Sequence, residues 1–571
     1  MRDTAIADAE IRHLETQIER VERGQLDPVL FKKLRLQYGI YSIRGSATGY
    51  MIRVRVPLGL IAPEQFEELA AVCDDFTPTR GGHLTTRQDV QLYGVDRCLL
   101  PTLLRQLAAV GLTTREASGN VVRNVTLCPF AGVAVDEPFD ITPYARAVSD
   151  YLLRNPLTQL LPRKVKIAFE GCPTDHARIP IHDIGIVAAL HDGRKGFRIY
   201  AGGGLGPSPK AAQLIEPWTE AEMLLPTIEA ILRVFERYGE RRNRARARLK
   251  FLVEQLGWEE FRARVLEERP VVWATQSGYA LSLLNLRDEA PSVARGALQR
   301  AEAAPEGFAR WSATNTVCQK QPRVVSVIVR VPCGDLSAAQ LRGIAQLARR
   351  YADGVRLMNT QNLLLRFMPY AALPAVYEEL ERLGLAEAGA NRLADITCCP
   401  GAESCLSAIT HPRGLAQAVE ALCRNGLSAW ADAPISIKIS GCPNSCGQHH
   451  IADVGFFGVA VKVGGRHVPC YQLLVGGSTA EGSVHFGHRL LRIPAQRAPE
   501  AVARLVTCYG QQKQSDESFA AFVSRVGLEP LKQAVQGLAE LSGAAQTPEL
   551  FVDLGTTEPF TPAAGKGECA E

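Results

Sequence analysis

The sequence predicts an α+β protein that contains two copies of the same unit. YMIRVRVPLG alternates like a strand, the residues after it have helical periodicity, and HLTTRQDVQLYGV alternates again. Far downstream, VSVIVRVPCG opens a stretch with the same order, which places Pro57 opposite Pro332 and Gln88 opposite Gln361. A strand-helix-strand module is therefore expected twice.

A larger αβ module follows each of these smaller modules. VVRNVTLCPFAG in the first half is similar to ADITCCPGAESC in the second, and KIAFEGCPTDHARIPIHDIG is similar to KISGCPNSCGQHHIADVG. Cys128 and Cys172 are almost as far apart along the chain as Cys399 and Cys442. Since clefts between domains usually bind ligands, the pattern predicts a pseudo-twofold protein with a cofactor at the seam between the copies.

The predicted segments follow this repeat. The charged first residues have apolar positions at helical spacing and indicate an arm that either packs over the repeat or docks a partner. The segments are an N-terminal helical arm at 1–45, the first small module at 46–115, the first αβ domain at 116–270, the second small module at 310–385, the second αβ domain at 386–510, and C-terminal helices with a flexible tail at 511–571.

Bulk composition limits the class of protein. The chain has 571 residues, 46% hydrophobic and 22% charged, which is ordinary for a globular protein. A net charge of +4, from 64 basic and 60 acidic residues, gives no reason to expect a nucleic acid or membrane partner. The 15 cysteines show no disulfide framework, and the sequence starts without the apolar core of a signal peptide. We expect a cytoplasmic protein.

Four cysteines in two Gly- and Pro-rich loops are the strongest chemical signal. Cys399 and Cys405 are separated by five residues, and Cys442 and Cys446 by three, in TCCPGAESC and GCPNSCG. Four thiolates hold either a [4Fe-4S] cluster or structural zinc, but these gaps are typical of neither zinc knuckles nor bacterial ferredoxins. The alternative is a set of ordinary buried cysteines, as we expect for Cys398.

This spacing, with Pro-Gly after the first thiol and Gly-Cys-Pro-Asn around the third, resembles the siroheme-dependent sulfite and nitrite reductases. The resemblance covers roughly residues 40–510 and implies that family's three-domain architecture, in which the small modules are ferredoxin-like half-modules. It also implies that Cys399, Cys405, Cys442 and Cys446 hold a [4Fe-4S] cluster. Cys446 would ligate the siroheme iron as well, so that cluster and heme form one coupled unit.

The two copies differ in their charged residues. In the first copy, Ala134 and His176 stand at the other two thiol positions, so we expect no second cluster there. That copy carries cations instead, and Lys164 and Lys166 alternate on a strand so that they share a face. By resemblance, the substrate would be held by Arg53, Arg123, Lys164 and Lys166.

The resemblance also implies contacts to the carboxylates or ring of siroheme. His83 departs from the pattern, because relatives usually have Arg at this position. The implied contacts are His83, Arg87, Gln91, Tyr93, Lys320, Gln321, Gln361, Asn362 and Asn444.

The predicted reaction is the six-electron reduction of sulfite to sulfide. Side chains cannot supply the electrons, so the cofactor must carry them. Reduction of nitrite to ammonia by the same machinery is the alternative; Lys166 favours sulfite, because plant-type nitrite reductases tend to have Asn there. With no flavin or nicotinamide domain visible, the donor would be a ferredoxin or a flavoprotein. A non-enzyme alternative is a metal-stabilised binding protein that has lost siroheme.

Overall fold

The computed structural model describes residues 2–275, 305–542, 546–562 and 567–568. Strands in this part of the chain form four five-stranded sheets. The strands are β1 (Ile40–Ser42), β2 (Gly49–Val54), β3 (Leu60–Ile61), β4 (Gly81–Leu84), β5 (Val90–Asp96), β6 (Thr126–Leu127), β7 (Ile167–Glu170), β8 (Ile184–His191), β9 (Arg194–Ala201), β10 (Gln213–Glu220), β11 (Thr316–Cys318), β12 (Val324–Val329), β13 (Asp335–Ser337), β14 (Val355–Leu357), β15 (Leu363–Pro369), β16 (Thr397–Cys398), β17 (Ile437–Ser440), β18 (Val454–Val463), β19 (Arg466–Val475) and β20 (His488–Pro494).

Helices cover these sheets and connect them. They are α1 (Arg2–Glu22), α2 (Pro28–Gln37), α3 (Pro63–Phe76), α4 (Leu100–Ala109), α5 (Thr142–Leu152), α6 (Leu224–Tyr238), α7 (Leu249–Leu256), α8 (Trp258–Thr275), α9 (Phe308–Asn315), α10 (Ala338–Tyr351), α11 (Leu373–Arg382), α12 (Pro412–Asn425), α13 (Ala498–Gln512), α14 (Phe519–Val526) and α15 (Glu529–Val535).

The two small modules exchange edge strands. The first sheet has the order β1-β2-β5-β4-β13, and the second has the order β11-β12-β15-β14-β3. Strand β13 from the second copy pairs with β4, with Asp335 opposite His83, while β3 from the first copy pairs with β14, with Ile61 opposite Val355. Helices α3 and α10 pack against each other. The modules thus share one core, with Phe66 and Leu341 among its buried residues.

The two αβ domains have the same topology. One sheet is ordered β10-β9-β8-β7-β6 and the other β20-β19-β18-β17-β16. In each, the first three strands along the chain are parallel and the last two are added antiparallel. The repeat predicted from sequence, including the duplicated half-modules, is confirmed.

A pair of equivalent glutamines ties the small modules to the αβ domains. Gln88 and Gln361 both have left-handed backbone conformations, with φ of 57° and 71°. The Gln88 amide donates to the carbonyls of Leu127 and Leu357, at 2.8 and 2.9 Å, and accepts from the Leu127 amide at 2.9 Å. Gln361 likewise donates to Leu84 O at 2.9 Å and accepts from Cys398 N at 2.9 Å. Each side chain joins a strand of its own half to one of the other half.

The N-terminal arm packs on the protein. Helix α1 buries Ile11, Leu14 and Ile18, and it packs against α4. Asp27 caps α2, since its Oδ1 accepts from Val29 N at 2.7 Å. Two roles were considered for the arm, packing over the repeat and docking a partner. The observed contacts match the first.

The C-terminal segment packs on the second αβ domain. Before the predicted flexible tail, which begins at Thr556, Leu550 and Phe551 are buried against Val468 and Cys470 of β19. Glu568 forms a buried ion pair with Arg35. Within the predicted tail, this ion pair is an anchor to α2. Cys569 lies outside the described residues.

Replacing Gln88 with Asn should destabilise the fold by about 2–4 kcal/mol, because three buried backbone groups lose their partner while the left-handed conformation is still tolerated. The measurement is denaturant unfolding followed by circular dichroism. Gln511→Asn, at an exposed position of α13, is the control and should change stability by less than about 0.5 kcal/mol. Equal stability of the two variants would show that Gln88 does not couple the modules.

Candidate active site

The two cysteine loops leave the same edge of the second αβ sheet. Strands β16 and β17 are parallel neighbours, so the loops that follow them start side by side. Cys399 directly follows β16, and the Gly441 amide after β17 donates to its Sγ at 3.2 Å. Burial raises the pKa of Cys399, and the nearby thiols of Cys446, Cys442 and Cys405 raise it further. The structure therefore brings the four predicted cysteines together.

The spacing of these thiols distinguishes between the two kinds of centre considered. In the described part of the chain, no three of the four sulfurs lie within 4.8 Å of one another. A single tetrahedral zinc, with Zn–S bonds of about 2.3 Å, requires all four within roughly 4 Å. A cubane presents its iron atoms at separate corners and takes thiolates that are farther apart. The four cysteines therefore do not form a compact site for a single zinc ion.

Residues of the first copy touch both cysteine loops. Thr86, between β4 and β5, donates to the Cys446 carbonyl at 3.0 Å. Arg44 donates through its backbone to Ser404 O at 2.9 Å and through Nη2 to Ala408 O at 2.6 Å. Charge interactions link Tyr93 both to Cys405 and to Arg53. The seam between the copies thus has thiols on one side and cations on the other.

Two of the predicted arginines converge on one acceptor pair. Arg53 Nη1 donates to Tyr41 OH at 3.1 Å and to Ala117 O at 3.2 Å. Arg123 donates to the same Ala117 carbonyl at 3.0 Å and contacts the same hydroxyl at 3.5 Å. Arg53 also stacks over the Tyr41 ring at 4.9 Å. These contacts hold both guanidinium groups in place before any anion arrives.

Arg87 adds a third guanidinium. It donates to Asn124 O, and its Nε is buried without a hydrogen-bond partner in the structure. Burial, together with the positive charges of Arg123 and Arg53, lowers the pKa of Arg87 to about 10, against the opposing effect of Asp89. A buried, unpartnered N–H on a guanidinium group is suited to an anionic ligand.

The two lysines lie beside this arginine group. Burial lowers the pKa of Lys166 well below its ordinary value, and the nearby charges of Lys164, Arg248 and Arg87 lower it further, while Asp183 opposes them. Asp183 accepts from the Lys166 backbone N–H at 2.9 Å and is itself held by the Arg248 guanidinium at 2.7 Å.

The second copy shows which residue corresponds to Lys166. Asp453 accepts from the Ser436 backbone N–H at 2.8 Å, repeating the bond from Lys166 to Asp183. Lys166 therefore stands opposite Ser436. The lysine charge at this position is specific to the first copy.

The other predicted contact residues divide by location. His83, Gln91 and Tyr93 lie at the seam: His83 contacts Asp335 at 2.8 Å, and the Gln91 amide N–H donates to the Tyr93 hydroxyl at 2.6 Å while its oxygen accepts from Arg53. Asn444 hydrogen-bonds the Cys442 thiol through its backbone and side chain.

Four other predicted contact residues bind protein groups in the structure. Lys320 pairs with Glu137 at 2.8 Å. The remaining three bind protein groups: Gln321 donates to Gly132 O, Gln361 spans Leu84 and Cys398, and Asn362 spans Val331 and Asp395.

Sequence reasoning missed several residues of the site. Asp89 is buried among the arginines, and burial raises its pKa to about 6. His182 lies near Arg87 and Lys166, and its Nδ1 faces Arg178 O at 2.8 Å. Arg413 binds Asp335 at 2.7 Å beside His83. Asp89 directly follows Gln88, one of the two glutamines that the repeat aligns, and this position was the sequence signal that could have identified it. No comparable signal marked Arg413, which comes from a helix far along the chain.

Comparison with known proteins agrees with this geometry. The chain matches the nitrite and sulphite reductase 4Fe-4S domain twice, at 118–271 and 389–541. It matches the nitrite/sulfite reductase ferredoxin-like half domain at 43–110 and 318–383. The chain belongs to the nitrite and sulfite reductase family. The fold class and repeat architecture expected from the resemblance are those of the family.

Individual members of this family are similar to this chain over most of its length. A chloroplastic ferredoxin-nitrite reductase from Zea mays is 31% identical over 82% of this chain and 80% of its own length. A ferredoxin-dependent sulfite reductase from Mycolicibacterium paratuberculosis is 27% identical over 88% of this chain and 84% of its own. The solved NirA protein of Mycobacterium tuberculosis has a TM-score of 0.76 and 25% identity, and covers 92% of this chain and 97% of its own.

Siroheme and a [4Fe-4S] cluster are the cofactors of this reductase. The described residues fit both: the thiols of Cys405, Cys442 and Cys446 lie near that of Cys399, and guanidinium groups across the seam suit a macrocycle with many carboxylates. Within the described residues, no helix is both long and apolar enough to cross a membrane.

Removing one of the four predicted cluster thiols should empty the centre. We expect Cys405→Ala to reduce iron from about five atoms per chain to less than about one, because a cubane with three thiolates is lost readily on purification. Iron and acid-labile sulfide assays, with the visible heme spectrum, measure this. Cys423→Ala, a buried cysteine in α12 of the same domain, is the control and should keep full iron. Normal iron in Cys405→Ala would exclude that cysteine as a ligand.

Proposed function

We propose that this protein catalyses the six-electron reduction of sulfite to sulfide, and that Arg53, Arg123, Lys164 and Lys166 bind and protonate the substrate. The observation that carries the proposal is the pairing of Lys164 and Lys166 beside a fixed arginine group. A dianion matches this concentration of charge better than a monoanion does. The predicted cluster ligands Cys399, Cys405, Cys442 and Cys446, and the siroheme contacts, belong to the same proposal.

The arginines bind and orient the anion. Arg53 and Arg123 are locked by Tyr41 and Ala117, so little side-chain entropy is lost when an oxyanion binds. Their N–H groups polarise the S–O bonds that must break. When bound, siroheme and the [4Fe-4S] cluster would supply the electrons, and Cys446 is the residue that would hold both groups.

The lysines deliver protons. Each oxygen leaves as water, so the overall reaction from sulfite consumes six electrons and eight protons to give hydrogen sulfide and three waters. The lowered pKa of Lys166 makes its ammonium a better acid than a surface lysine, and the arriving dianion favours the protonated form. The Lys166 backbone is fixed by Asp183, which directs the side chain reproducibly.

Nitrite is the second candidate substrate. Similar proteins named as nitrite reductases include those from Zea mays and Synechococcus elongatus, at 31% and 30% identity. Nitrite reduction to ammonium also takes six electrons and eight protons, so the same side chains can serve it. Ferredoxin is the proposed donor for either substrate, since the names of both groups of relatives specify it.

Lys166→Ala should keep both cofactors and lose sulfite turnover by about 100-fold or more, because it removes a substrate cation and a proton donor. Wild-type turnover should fall as pH rises through the lowered pKa of Lys166, since only the ammonium binds and donates; the residual activity of the variant should lack this limb. Steady-state rates with a chemical reductant between pH 6 and 10 measure both effects.

The control for that variant is Lys195→Ala, which removes the same charge from an exposed position in the same sheet. It should leave turnover and its pH dependence unchanged. An unaltered rate in Lys166→Ala would remove Lys166 from the mechanism.

Lys166→Asn tests the choice of substrate. If the extra cation serves a dianion, kcat/KM for sulfite should fall at least about tenfold more than kcat/KM for nitrite. Both constants are measured on one preparation with the same reductant. Equal losses, or a wild-type enzyme that turns over nitrite far faster than sulfite, would replace sulfite by nitrite as the physiological substrate.

A further inference from the structure

The first αβ domain contains a compact set of metal-ligand side chains away from the four cluster cysteines. Cys128, Cys172, His176 and Glu170 each place one ligand atom within 4.8 Å of all the others. In the described part of the chain this is the one such group of histidine, cysteine and acidic residues. We infer that these four residues bind a single zinc ion.

The distances match one tetrahedral ion. Cys128 Sγ lies 3.6 Å from Cys172 Sγ and 3.7 Å from His176 Nδ1, and that nitrogen lies 4.0 Å from Glu170 Oε1. With Zn–S bonds of about 2.3 Å and Zn–N bonds of about 2.0 Å, tetrahedral geometry separates neighbouring ligand atoms by roughly 3.5–3.8 Å. A small inward movement of Glu170 closes the set. The spacing is too tight for a cubane.

The repeat explains how this set arose on the same scaffold as the cluster. Cys128 and Cys172 occupy the positions of Cys399 and Cys442, and His176 stands where the second copy has Cys446. Ala134 replaces the remaining thiol, while a carboxylate is gained at Glu170, where the second copy has Ser440. Two thiolates, an imidazole and a carboxylate are a donor set that prefers zinc to magnesium or calcium.

The surroundings of the set are those of a built site. Cys128, Cys172 and Glu170 are buried, and the Phe130 ring packs on His176 with centroids 4.8 Å apart. The Glu170 carboxylate also accepts from the Cys172 backbone N–H at 2.9 Å, which fixes it against the loop. Zinc binding would release the two thiol protons, and the proton of His176 where the imidazole is protonated.

The site lies where the first αβ domain meets the second half-module. Arg356 of β14 donates to the Cys128 carbonyl at 3.1 Å and to Ala131 O at 2.7 Å. Asn359 donates to the His176 carbonyl at 2.5 Å. A zinc ion would fix both loops that these side chains bind, and so would hold the junction without taking part in electron transfer.

The experiment is zinc and iron analysis of the untagged holoenzyme by inductively coupled plasma mass spectrometry, after growth with zinc and gel filtration without chelator. We expect about one zinc per chain in the wild type, and less than about 0.1 in Cys172→Ser and in His176→Ala. Iron should stay at the wild-type value in both variants. Cys73→Ser, a buried cysteine in α3, is the control and should retain zinc.

Zinc K-edge X-ray absorption on the wild type tests the ligands without relying on any variant folding. Two sulfurs near 2.3 Å and two nitrogen or oxygen atoms near 2.0 Å are expected. Four sulfurs, or none, would place the ion elsewhere and overturn the proposal. So would a wild type that stays zinc-free after incubation with zinc chloride, iron at this site instead of zinc, or a Cys128–Cys172 disulfide found by mass spectrometry.

Discussion

The exchange of β3 and β13 between the two small modules is the constraint on which the rest of the structure depends. Each exchanged strand completes the sheet of the other half through backbone hydrogen bonds. This pairing fixes the relative position of the copies and brings Thr86 against the Cys446 loop. The cations on one side and the thiols on the other meet because the two halves cannot slide past each other.

Divergence between the copies gives the seam its chemistry. The αβ sheets keep the same order and the equivalent aspartates Asp183 and Asp453, so the backbone around both sites is alike. On this common frame, one copy carries Lys166 where the other carries Ser436. The asymmetry of charge and thiol is therefore produced by side chains, while the duplicated backbone positions them.

The sequence allowed the repeat, the fold class and the four converging cysteines to be predicted, because strand alternation and paired loop thiols are local signals. The strand exchange was not predictable from it, since β3 has only two residues and pairs with a strand almost 300 positions away. Lys164 and Lys166 were predicted from the resemblance to the family, with their alternation in the sequence as support, and the structure places both just before β7 rather than on it. Asp89 and Arg413 were missed because their surroundings depend on residues from other segments.

Strand exchange also bears on how such a chain could have originated. A half-chain carrying one small module and one αβ domain would leave a sheet edge unpaired, which is a template for association. Two identical half-chains could satisfy both edges by lending each other the strand that β3 and β13 now represent, giving a closed symmetric dimer. Fusion of such a pair into one polypeptide retains every backbone pairing and frees the two formerly identical sites to specialise.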